Sequence, residues 1–185
     1  VRKGAMWRGD PPDWYWTCKF SHPVVFSAPG PVVESLVETL ESAAWNGRAE
    51  VVRELLKAAN VDVNKENPLS GAAGNGHVEV VRVLLEAKNV DVNQVGPYTG
   101  TPLSRAAGFG HVEVVRMLLE AKKVDVNKEN PLSYAAENGH VEVVRVLLED
   151  KNVDVNKKNP LSRAAENRHV EVVRVLLEAK NVDVN

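Results

Sequence analysis

Four histidines, His77, His111, His140 and His169, each open the same text, "HVEVV". Histidine is both a common metal ligand and the usual general base, so the recurrence invites two chemistries. A metal centre needs ligands that converge within a few ångströms of one ion. Histidines that return once per stacked unit stand about 10 Å apart, the usual helix packing distance, and make a ladder rather than a cage. They are read as structural, at the start of a helix. Seven residues before them stand Ser70, Ser104, Ser133 and Ser162, which suggests nucleophile and base. A catalytic constellation needs one asymmetric pocket, whereas a pair repeated in every unit performs a per-unit task. Cys18 and His22 form a C-x3-H pair with no second pair to complete a metal site. The glycines of "GAAGNGHVEV" (71–80) fall in and after a helix with no strand before them, so they are not a phosphate loop. No catalytic, metal or cofactor residue is assigned, and the chain is read as a non-enzyme.

The elements that carry these residues are repeats. Aligning "PLS" at Pro68, Pro102, Pro131 and Pro160 gives spacings of 34, 29 and 29 residues. A more divergent copy, "TLESAAWNGRAEVVRELLKAANVDVN", precedes them, making five units over residues 39–185. Each unit reads as two helices. Asn67, Thr101, Asn130 or Asn159 before Pro supplies an N-cap with Pro at the first helical position. Asn-Gly or Phe-Gly stops the first helix, because Gly accepts the left-handed conformation. In "HVEVVRVLLEA", Val78, Val81, Leu84 and Leu85 make an apolar stripe that Val80 and Val83 widen. A helix so apolar must be covered on two sides, as in a stack of units. Asn89, Asn152 and Asn181 are read as left-handed stops for it, with Lys123 a less crisp stop in the third unit. "VDVN" is read as an extended link, Val61 and Val63 inward and Asp62 and Asn64 outward. Glu50/Arg53, Glu79/Arg82, Glu113/Arg116, Glu142/Arg145 and Glu171/Arg174 are i, i+3 pairs on a solvated face, worth about 0.3 kcal/mol each.

The text "TPLSRAAGFGHVEVVRMLLEAKKVDVN" resembles the ankyrin repeat family, whose pattern runs T-P-L-H-x-A-A-x-x-G-H, then V-V-x-x-L-L, then D-V-N. Ser104 and its equivalents stand where the family has His. The resemblance implies an all-α solenoid of stacked helix-turn-helix units, approximately 31–66, 67–93, 94–127, 128–156 and 157–185. It also implies a β-hairpin finger between units. Only "QVGPYTGT" (94–101) has room for one; the "KEN" and "KKN" junctions are too short to project. At most one finger is therefore expected, near residues 93–101, with Tyr98 at its tip.

The resemblance further implies a protein partner held by fingers and exposed first helices. Comparing the units supports this independently. Their second helices are nearly identical, and much of the variation falls on Ser42/Trp45/Asn46, Gly71/Gly74/Asn75, Arg105/Gly108/Phe109, Tyr134/Glu137/Asn138 and Arg163/Glu166/Asn167. That i, i+3, i+4 spacing puts each triplet on one helix face. Partner-binding residues are assigned on this strip as Trp45, Arg105, Phe109, Tyr134, Glu137, Arg163 and Glu166, with Tyr98 from the finger. Aromatic residues and Arg dominate interface energetics.

The chain of 185 residues is 44% apolar and 26% charged with net charge −2, which lacks the basic footprint of a nucleic-acid binder. Its single cysteine forms no intrachain disulfide, which suits a reducing, intracellular compartment, cytoplasmic or nuclear. No apolar run approaches the roughly 18 residues of a membrane span, and no apolar segment follows Arg2 and Lys3 to make a secretory signal. Residues 1–30, rich in aromatics and Pro, show no period and are set apart as a leader. "PVVESLVETLESAAWNG" is read as one longer capping helix from about Pro31. The first residue is Val, and the last unit exposes an apolar face, so the chain is also read as a recognition fragment of a larger enzyme or signalling protein. That bare face favours self-association or fraying. Arg168 replaces the helix-stop Gly of the last unit, making that unit the least stable.

Overall fold

A proline can begin a helix because its missing N–H has no intrahelical partner there in any case. Four of the five units use this device. The computed structural model describes residues 39–58, 61–96, 100–179 and 182–183. Among these are ten helices in five pairs. The pairs are α1 Leu40–Trp45 and α2 Ala49–Leu56; α3 Pro68–Gly74 and α4 Val78–Glu86; α5 Pro102–Gly108 and α6 Val112–Glu120; α7 Pro131–Glu137 and α8 Val141–Leu148; α9 Pro160–Glu166 and α10 Val170–Glu178. First helices pack on first helices of adjacent units, and second on second, as an all-α solenoid requires. The leader, the expected capping segment up to residue 38, Tyr98 and Asn181 lie outside the described residues.

One long capping helix running into unit one is not what forms. Thr39 is extended (φ −74°, ψ 155°), and its hydroxyl accepts from Ser42 N at 3.1 Å, so α1 starts at Leu40. Thr101 caps α5 in the same way, accepting from Ser104 N at 3.2 Å. The short junctions differ. Their last two residues are both left-handed: Glu66/Asn67, Glu129/Asn130 and Lys158/Asn159, with φ between 50° and 61°. Asn67 still caps, its Oδ1 accepting from Ser70 N at 3.2 Å, but Asn130 and Asn159 make no capping bond. The tandem left-handed turn reverses the chain in too few residues for a finger. Among the described residues of the long junction Gly100 alone is left-handed (φ 69°), and Gly96 N donates to Gly100 O at 3.5 Å in an isolated antiparallel bridge. That bridge is the only β pairing among the described residues.

Each first helix ends in the same double bond. In unit two, Gly76 N donates to Ala73 O (3.3 Å) and His77 N to Ala72 O (3.0 Å), a Schellman stop with Gly76 at φ 71°. The histidine then sits at the N-cap of the second helix, and its ring reaches the unit before. Nε2 donates to Trp45 O (2.9 Å) from His77, to Gly74 O (3.1 Å) from His111, to Gly108 O (3.0 Å) from His140 and to Glu137 O (3.0 Å) from His169. A carbonyl only accepts, so Nε2 carries the proton in all four. The ladder is therefore a series of latches between units. The serines do structural work as well: Ser70 Oγ donates to Gly100 O (3.2 Å) and Ser133 Oγ to Lys158 O (3.0 Å), each pinning the next junction, while Ser104 Oγ donates to Thr101 O (3.0 Å) at its own helix start.

Leu69, Leu84, Leu103, Leu118, Leu147 and Leu176 are among the largest fully buried side chains. Each contributes roughly 1.5–3 kcal/mol by leaving water. The links turn rather than extend: Lys65 N donates to Asp62 O at 3.2 Å. Val63, Val92 and Val126 are buried as expected. The asparagines do not simply face out. Asn64 Nδ2 donates to Asn89 O (2.8 Å) and its Oδ1 accepts from Asp91 N (2.7 Å). Asn93 and Asn127 repeat the bridge to the units after them.

Asn89 (φ 64°) is left-handed as read, and Lys123 (φ 69°) takes the same turn, so unit three ends no less crisply. Asn152 is not left-handed. In its unit Asp150 stands where others have Ala, α8 stops at Leu148, and Asp150 Oδ1 accepts from Asn152 N at 2.8 Å. Of the i, i+3 ion pairs, Glu79–Arg82 closes at 3.3 Å and Glu50–Arg53 is in direct contact. Arg116 instead reaches Glu149 of the next unit at 3.5 Å. No described helix is long and apolar enough to cross a membrane.

Candidate interaction surface

The variable strip divides into an occupied half and an open half. Arg105 was expected to be exposed and is not: it is 8% exposed. Its guanidinium carbon lies 5.5 Å from the centroid of Trp45 and 5.3 Å from that of Phe109. Unit two makes room for this. A Cβ at Gly74 would meet Arg105 Nε at 2.4 Å, and one at Gly71 would meet Trp45 Cε3 at 3.1 Å. The glycines that vary in unit two are thus the floor on which a side chain from unit one and another from unit three meet. Internal packing accounts for Gly71, Gly74 and Arg105, and the sequence comparison could not separate that from partner binding. The paired absence of side chains at Gly71 and Gly74, beside large ones in both neighbouring units, was the signal available.

Glu137 and Arg163 satisfy one another in a direct ion pair between units four and five. They are each more than a third exposed, so the pair adds little stability after solvent screening. Glu166 is exposed and Trp45 half-buried.

Among the open residues of the strip are two large aromatic rings. Phe109 is 44% and Tyr134 43% exposed. Phe109 holds the helix-ending position that Asn fills in the other four units. There the amide Nδ2 donates back to the carbonyl four residues earlier, from Asn46 to Ser42 (2.8 Å), Asn75 to Gly71 (2.9 Å), Asn138 to Tyr134 (2.9 Å) and Asn167 to Arg163 (2.9 Å). Unit three gives up that bond and presents a ring to solvent. Its face is held by Arg105 on one side and by His111 on another, centroids 6.5 Å apart and 26° between planes. A large apolar side chain where a short polar one would cap the helix breaks a local rule. Among the described residues, no group of three or more His, Cys, Asp or Glu is arranged to hold a metal.

The family model described as ankyrin repeats (3 copies) matches residues 40–130 and 120–185. No curated protein matches the chain.

Proposed function

Because the chain belongs to the ankyrin repeat family, whose arrays are generally protein–protein interaction modules, we propose that it binds a protein partner through the open aromatic half of its first-helix strip. Phe109 and Tyr134 are the anchors, with Trp45 at the margin. Arg105 supports the platform from beneath. Tyr98 of the finger reaches the same partner, and Glu137, Arg163 and Glu166 set the charge it must match. The chain does no chemistry of its own in this reading. The observation that carries it is Phe109, an exposed ring that displaces the capping amide of every sister unit. Buried or half-buried aromatics and Arg are the residue types that dominate interface energies.

The test separates binding from folding. Phe109→Asn restores the amide the other units carry, so its denaturation midpoint should hold or rise. Proteins captured on the wild-type chain and identified by mass spectrometry should be lost on Phe109→Asn and on Tyr134→Ala, and retained on Glu113→Ala of the opposite helix. With a purified partner, either aromatic substitution should weaken binding by about 2 kcal/mol or more, roughly thirty-fold. Unchanged affinity in both variants would remove the strip as the site.

A further inference from the structure

We infer that Arg168 closes the array to further units of its own kind: the outer face of unit five refuses any neighbour that carries the histidine latch. The latch has two halves. One unit supplies the carbonyl that ends its first helix and, two residues on, a left-handed glycine. The next supplies the histidine ring, bonded to that carbonyl and lying flat on that glycine. At Gly47, Gly76, Gly110 and Gly139 a Cβ would stand 2.5–2.7 Å from Nδ1 of His77, His111, His140 and His169 respectively. Real Cβ contacts are not that short. The ring has little room to give, since Nε2 is tied to the carbonyl and the backbone of the same residue begins a helix.

Unit five repeats the acceptor half with one change. Arg168 takes the glycine's left-handed conformation (φ 61°) and its Schellman bonds, with Arg168 N to Ala165 O at 3.0 Å and His169 N to Ala164 O at 2.9 Å. Its Cβ therefore occupies the place where a sixth ring would lie. The rest of the face is unaltered in type. Leu161, Ala165, Val170 and Leu177 match Leu132, Ala136, Val141 and Leu148, which unit five covers in unit four. In unit five Val170 is 60% and Leu177 51% exposed. An apolar face of the right composition is thus closed by one residue.

The experiment appends a second copy of residues 157–185 after Asn185, with Arg168 kept or changed by Arg168→Gly, and follows amide exchange and the urea midpoint. With Arg168 kept, the appended unit should exchange as an unstructured peptide and leave the midpoint where it is. With Arg168→Gly, its second helix should be protected as in unit four. The midpoint should then rise beyond the change that Arg168→Gly causes in the 185-residue chain alone, which corrects for relieved backbone strain. Protection of the appended unit in both versions overturns the inference. Protection in neither also overturns it, by locating the block away from residue 168.

Discussion

Single residues decide where this stack is rigid. A glycine at the end of a first helix does two jobs that no other residue can do together: it accepts a positive φ, and it leaves room for a ring from the next unit. The costs of replacing it therefore add. At Gly110 (φ 79°), alanine incurs about 1–2 kcal/mol for the left-handed backbone. It also drives its Cβ to 2.7 Å from His140 Nδ1, which puts the bond to Gly108 O at risk for about 1 kcal/mol more. Gly110→Ala should lower stability in urea by at least about 2–3 kcal/mol, before any unstacking of unit four from unit three. An alanine at Gly108 tests the same turn without the latch, since a Cβ there meets Tyr134 Cβ at an ordinary 3.6 Å. It should be neutral or stabilising, because alanine favours a helix by roughly 1 kcal/mol over glycine. Equal losses at the two positions would mean that the ring contact is not what makes Gly110 necessary.

Between elements, side-chain bonds replace the missing fingers. Asn127 Nδ2 donates to Asn152 O (2.8 Å) while its Oδ1 accepts from Asp154 N (2.7 Å), so one amide clamps the link of unit four to that of unit three. Asn127→Ala removes both bonds and should cost about 2 kcal/mol, with faster exchange at Asp154 as the local signature. An unchanged midpoint would mean that water substitutes freely at this exposed site. These clamps also show where sequence reading reaches its limit. Helix starts at Pro68, Pro102, Pro131 and Pro160, the glycine stops and the apolar stripes were legible, because each rests on local propensity and period. That the long junction could pair across its ends, as Gly96 and Gly100 do, was legible from the length of "QVGPYTGT" alone. Reading Asn64 as an outward residue missed its bridge, because its partners lie 25 and 27 residues away, in the next unit. Arg105 failed for the same reason: its burial is decided by Gly74 beneath it and Trp45 beyond. The long capping helix failed by local chemistry that was readable, since Thr39, one residue past the register of Thr101, offers the same capping hydroxyl and starts a helix one residue shorter.

Across the whole molecule, the latches form one row, and a charge taken up in its middle is felt along it. His140 is held below its usual pKa by burial first, against the raising effect of its bond to Gly108 O, with further lowering by its ladder neighbours His111 and His169. His140 also sits at a helix N-terminus, where the backbone dipole opposes a cation. The sign follows from linkage. In the unfolded chain this histidine takes up a proton near pH 6.5, while in the folded chain it does so only at lower pH. The unfolded state binds more protons in that interval. Stability is therefore fully present above about pH 6.5 and declines as pH falls through the folded value. Because stacked units lend stability only to their neighbours, the loss at His140 should loosen units three and four together. The urea midpoint, followed from pH 7.5 downward, should begin to fall near pH 6.5, before the carboxylates titrate at about pH 4. His140→Gln offers an amide donor in place of the ring and no titrating group. It should flatten the fall between about pH 6.5 and pH 5, even if its midpoint at neutral pH is lower. A fall of the same steepness in His140→Gln would assign the acid sensitivity to groups outside the middle of the ladder.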